Sequence, residues 1–105
     1  MLFPQDHDYS DQDIKLIRTL LEQFVGQTTD HCRKAAENAQ FILLDCWDNK
    51  MGFVKEGEQD YMILSLLFSD NKCVSYRLII KDADTKWADS KVIDYNSVRD
   101  AGIIN

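Results

Sequence analysis

The stretch YMILSLLFSDNKCVSYRLIIK, residues 61–81, decides how this chain folds. Met62, Leu64, Leu66 and Phe68 alternate with their neighbours, a period of two that puts them on one side of an extended segment. Asp70-Asn71-Lys72 interrupts the run with residues whose short polar side chains bond local backbone and tolerate tight turns. The alternation then resumes. Val74, Tyr76, Leu78 and Ile80 face one way, and Ser75, Arg77 and Lys81 face the other, with Ile79 an apolar exception on the polar side. Two strands joined by a short turn, each with one apolar face, predict an antiparallel hairpin resting on a core.

Upstream, the same pattern extends the sheet. MGFVK (51–55) and the run from Tyr61 are split by the turn-forming EGEQD (56–60). FILLDCWD (41–48) reads as a further strand. Under strict alternation Ile42, Leu44 and Cys46 share its core face, while Phe41, Leu43, Asp45 and Trp47 share the other. Before Phe41 the period becomes helical. Ile14, Ile17, Leu21, Phe24 and Val25 recur at three- and four-residue steps, Ser10 and Asp13 form an acidic variant of the capping box, and Gly26 is the stop. Thr28-Thr29-Asp30 starts a second, short helix over 30–39, whose Cys32, Ala35, Ala36 and Ala39 allow close approach to a neighbour. After Asp82 the reading is coarser: KVIDY (91–95) as an edge strand, NSVRDAG (96–102) as a helical turn, and residues 1–9 as an irregular lead-in. The expected fold is α+β: two N-terminal helices packed on one face of a mainly antiparallel sheet of three to five strands, with short C-terminal elements, all in one domain over 1–105.

Composition supports a self-sufficient core. A domain of 105 residues buries roughly two-thirds of the surface its unfolded chain exposes. Its 45% hydrophobic and 29% charged residues are ordinary for a folded soluble protein. Three cysteines (Cys32, Cys46 and Cys73), with no C-x-x-C pair, offer neither a zinc template nor a disulfide framework. They read as reduced thiols, most of them buried, in a cytoplasmic protein. The N-terminus turns acidic without a basic region and an apolar run, so no signal peptide is expected. No apolar run is long enough for a bilayer. The net charge of −6 opposes binding to phosphate backbones and suits a basic partner.

Little here looks like chemistry. Asp45, Cys46, Trp47 and Asp48 are adjacent, yet on a strand Asp45 and Cys46 point apart. The plain reading is a strand closing into a turn; the functional one is an exposed aromatic-plus-acid patch from Asp45 and Trp47. His7 and His31 are the only histidines, and neither stands at a catalytic spacing from a nucleophile or carboxylate. His31 and Cys32, being adjacent on a helix, point about 100° apart. Asp-x-Asp occurs at 6/8, 11/13 and 82/84, where Asp82 and Asp84 are the best placed for a cation; a third ligand and a Gly-rich loop are missing, and loop or cap roles fit equally. Arg77 is expected to pair across the sheet with Asp45 or Tyr61, or to hold an anionic ligand. Trp87 either closes the core or anchors an interface. No cofactor, metal site or catalytic residue is expected.

In size, charge and helix-then-sheet order the chain resembles the small acidic immunity proteins that bacteria make against their own nuclease toxins, including those of contact-dependent growth inhibition. That resemblance implies a cytoplasmic, non-enzymatic protein that binds a basic toxin domain and masks its active site or substrate groove, without touching nucleic acid or membrane. The contact residues expected are Asp45, Trp47, Asp48, Glu56, Glu58 and Asp60, taken as one acidic rim built from two turns. Asp82, Asp84 and Trp87 form a second patch. The alternatives are a small ligand-binding domain or enzyme on the outer sheet face, using Arg77 and Tyr61, and a protein that self-associates through an edge strand.

Overall fold

The structure, a computed structural model, describes residues 9–82 and 90–95. Helices α1 (Asp11–Glu22) and α2 (Thr29–Asn38) precede five strands: β1 (Ile42–Trp47), β2 (Lys50–Glu56), β3 (Asp60–Ser69), β4 (Lys72–Asp82) and β5 (Lys91–Asp94). The strands pair in chain order, each antiparallel to the last. Two helices on one face of a five-stranded antiparallel sheet is the α+β arrangement that the periodicities predict.

Local chemistry starts both helices. Ser10 caps α1: its hydroxyl accepts from the Asp13 N–H, and the Asp13 carboxylate accepts from the Ser10 N–H, which satisfies two otherwise orphaned donors. Thr28 caps α2 by accepting from the His31 N–H. With 10 residues, α2 is too short to stand alone in water, so packing holds it. Cys32 and Ala36 are buried, as are Ile17 and Leu21 of α1 and Phe24 beyond it. Gly26 takes a φ of +86°, a conformation that costs glycine little. The linker is also pinned to the sheet: the Gly26 N–H donates to the Cys73 carbonyl (2.7 Å) and the Cys73 N–H to the Gln27 carbonyl (2.8 Å).

The sheet supplies the rest of the core. Met51 and Phe53 of β2, Met62, Leu64, Leu66 and Phe68 of β3, Cys73, Tyr76, Leu78 and Ile80 of β4, and Ile93 of β5 all face the helices. Each large apolar side chain buried there contributes roughly 1.5–3 kcal/mol. Two bulges shift the expected facing. One, between Leu67 and Phe68 in the β3–β4 ladder, leaves Val74 on the solvent side, 46% exposed. The other lies between Leu43 and Asp45 of β1. It reverses the first half of that strand relative to strict alternation. Phe41 is buried and Leu43 packs against the core, while Ile42 and Leu44 are exposed. The extra residue at the bulge returns the strand to register, so Asp45 and Trp47 still face outward, as expected. Residues 91–94 form the expected edge strand; the helical turn expected over 96–102, and the lead-in up to residue 8, lie outside the described residues.

Candidate protein-binding surfaces

A meander sends alternate turns to opposite ends of its sheet. Asp48 and Asn49 of the β1–β2 turn therefore share one end with Asp70 and Asn71 of the β3–β4 turn. Hydrogen bonds tie that end together: the Phe68 N–H donates to the Asn49 carbonyl (2.8 Å), and the Thr29 hydroxyl donates to the Asn71 side-chain oxygen (2.7 Å). Asp70 and Asn71 hold φ values of 51° and 63°, in the left-handed region that Asp and Asn tolerate better than most residues. The repeated Asp-Asn-Lys of the sequence thus marks two turns at the same edge.

The opposite end carries Glu56, Glu58, Asp60 and Asp82. Glu56 pairs with Tyr61 across β2–β3, and Asp60 pairs with Asp82 across β3–β4. Glu56, Glu58 and Asp82 are exposed, whereas Asp60 is 3% exposed. Asp60 accepts a short hydrogen bond from the Tyr9 hydroxyl, and its carbonyl closes the turn by accepting from the Gly57 N–H at 2.9 Å. Asp60 therefore anchors the turn from inside and does not offer its carboxylate to a partner. The single rim expected of the two turns is not formed. They stand at the two ends of β2, separated by roughly 20 Å at about 3.3 Å per residue. Glu56 and Glu58 instead join Asp82, a member of the second expected patch. Asp84 and Trp87 lie outside the described residues.

The outer face is organised in rows. Strand register aligns Ile42, Val54, Ile63, Ile79 and Val92, one from each strand, into an aliphatic row across the whole sheet. Beside it runs Asp45, Gly52, Ser65, Arg77 and Asp94. Asp45 folds over Gly52, where a Cβ would stand 2.6 Å from its Oδ1. Arg77 donates to Asp94 at 3.4 Å. That partner corrects the expectation of Asp45 or Tyr61; the sequence could not show that Asp94, on a strand beyond the 83–89 segment, lies beside Arg77. Tyr61 sits four residues along the ladder from Ser65, Arg77's cross-strand neighbour, about 13 Å away, so Tyr61 and Arg77 do not converge on one ligand. The surface near Arg77 is an open depression of about 270 Å³, floored by Lys50, Ser65, Leu67 and Ser75. Trp47 is 67% exposed beside Lys50. The aliphatic row escaped sequence reading except for one trace: Ile79, the apolar residue on a polar face.

On the helix side, α1 and α2 enclose an open groove of about 450 Å³ between Leu16, Leu20, Phe24, Ala35 and His31. Among the described residues no group of three His, Cys, Asp or Glu side chains could hold a metal ion. No helix among them is long and apolar enough to cross a membrane. Cys32 and Cys73 are buried; Cys46, expected toward the core, is exposed on the edge strand. Burial, reinforced by the neighbouring Cys73, pushes the Cys32 thiol up to about 12, and burial also raises Cys73. Thiols held protonated in this way are poor nucleophiles.

The molecule belongs to the α+β class, with a helix-covered meander, an acidic sheet end and an outer face crossed by an aliphatic row that is exposed at Ile42 and Val92 and half-buried at Val54, Ile63 and Ile79. No protein-family model, curated protein or solved structure matches the chain.

Proposed function

We propose that this chain is a binding module for a basic protein, and that it engages its partner through the acidic end of the sheet. The observation carrying this reading is the gathering of exposed Glu56, Glu58 and Asp82 at one end of a chain with net charge −6. Asp82 stands directly opposite another carboxylate, Asp60, and like charges in register weaken a strand pair. Clustered charge of one sign speeds encounter with the opposite sign and fixes its register. The role that suits such a device is immunity: a cytoplasmic inhibitor covering the basic substrate groove of a nuclease toxin, its carboxylates standing where phosphates would lie.

The proposal predicts a basic toxin domain encoded beside this chain's gene, and co-expression with that domain tests it. The expected result is a co-purifying complex, protection of growth, and association that slows as salt rises. Replacing Glu56 and Glu58 together by Lys raises Kd by roughly 10- to 100-fold. The matched reversal of Asp48 and Asp70, at the other end, leaves Kd within a few-fold. No complex, or a loss confined to the Asp48/Asp70 variant, overturns the proposal.

A further inference from the structure

We infer that the outer sheet face is the contact between two copies of this chain, stacked face to face about a two-fold axis parallel to β3. This surface meets the acidic end at Glu56, and the inference does not rest on the function proposed for that end. The aliphatic row crosses all five strands, and its outermost members, Ile42 and Val92, are 67% and 48% exposed. Tyr95, next after β5, packs on the core, edge-on against Tyr76 at 5.6 Å.

Charge favours a second copy as the occupant. The whole chain carries −6, so two copies repel over most of their surfaces. The four outer-face rows that pass through β2 are different. They hold three cations, Lys50, Arg77 and Lys81, against three acids, Asp45, Glu56 and Asp94. This is the neutral face of an acidic molecule, and it is poorly suited to the basic partner of the sheet end.

One row of charges is also self-complementary. A dyad along β3 keeps each row over itself and exchanges β1 with β5 and β2 with β4. Ile63 then meets its own copy, Val54 meets Ile79, and Ile42 meets Val92. In the row on one side, Glu56 falls opposite the second copy's Lys81. In the row on the other side, Arg77 of the second copy comes down on the Asp45 carboxylate that covers Gly52, and offsets the approach of Asp45 to the second copy's Asp94. A dyad across the strands would instead place Lys81 over Arg77. Five strands at about 4.8 Å spacing and four rows along them span roughly 600 Å² per copy, or about 1,200 Å² in all, which reaches the range of specific interfaces. Twisted sheets stack face to face in this aligned manner, about 30° apart.

Sedimentation or light scattering of the purified full chain over a range of concentrations tests the inference. The expected result is a dimer that Ile63→Lys, which sets two like charges against each other on the dyad, weakens at least 100-fold. Leu44→Lys, on the exposed bulge of β1, leaves it intact. Glu56→Lys alone weakens the dimer by roughly tenfold, and adding Lys81→Glu restores it. Far-UV circular dichroism identifies a variant that fails to fold, and Val92→Lys then replaces Ile63→Lys. A monomer at every loading up to about 1 mM overturns the inference. A dimer indifferent to Ile63→Lys but dissolved by Leu44→Lys overturns it in favour of edge-strand pairing, and a double variant that fails to restore association overturns the dyad. A monomer whose Ile63→Lys form loses its basic partner gives the face to that partner instead.

Discussion

Tyr9 lies just ahead of α1, yet its hydroxyl reaches Asp60 at the start of β3, 51 residues away in sequence. Removing one donor from a buried carboxylate costs about 1–3 kcal/mol. Tyr9→Phe is therefore expected to lower the unfolding free energy by that amount, read as a lower urea midpoint at an unchanged slope. A second residue-scale consequence concerns pH. Cys32 holds its proton up to about 12 in the native state, against an ordinary value of 9.0. Between those limits the unfolded chain has released a proton that the native chain keeps, so stability falls as pH rises through the window. Tyr76, raised by burial and by its hydrogen bond to Glu22, adds to the loss above its ordinary 10.0. Urea midpoints measured from pH 8 to 11 are expected to hold steady below about 9 and then decline, and the decline should be shallower in Cys32→Ala.

At the scale of elements, α1 shows how directly sequence can specify structure. Its start depends on Ser10, and Ser10→Ala should cost about 1 kcal/mol in the same denaturation assay. Period-three and period-four spacing in 14–25 and period-two spacing in 61–81 each have one physical solution, which is why helices, hairpin and layer order were legible. β1 was not. Its four consecutive apolar residues, Phe41 to Leu44, satisfy either facing. The choice rests on a bulge opposite Phe53 and Gly52 of β2, a feature of the pairing and not of the strand alone. The same holds for Val74 at the second bulge. Glu56, Glu58 and Asp82 were each legible as exposed acids. Their meeting was not, because it follows from which turns share an end, and that requires the full meander.

For the whole molecule, surplus negative charge is unevenly placed. One sheet end gathers exposed Glu56, Glu58 and Asp82, the outer face balances acids with cations, and the helix groove mixes apolar side chains with uncharged polar ones such as Gln23 and Asn38. A stacked pair of copies would leave Glu58 and Asp82 open at both acidic ends; Glu56, in the same row as Tyr61 and Lys81, is the one residue shared by the two contacts. The direct check on the central claim is the affinity of the co-purified basic partner for two charge-reversed chains, titrated calorimetrically at one salt concentration. Glu56→Lys with Glu58→Lys should lose roughly 10- to 100-fold, while Asp48→Lys with Asp70→Lys stays near the parent value. Equal losses in the two variants, or none in either, would contradict a contact made by the acidic end.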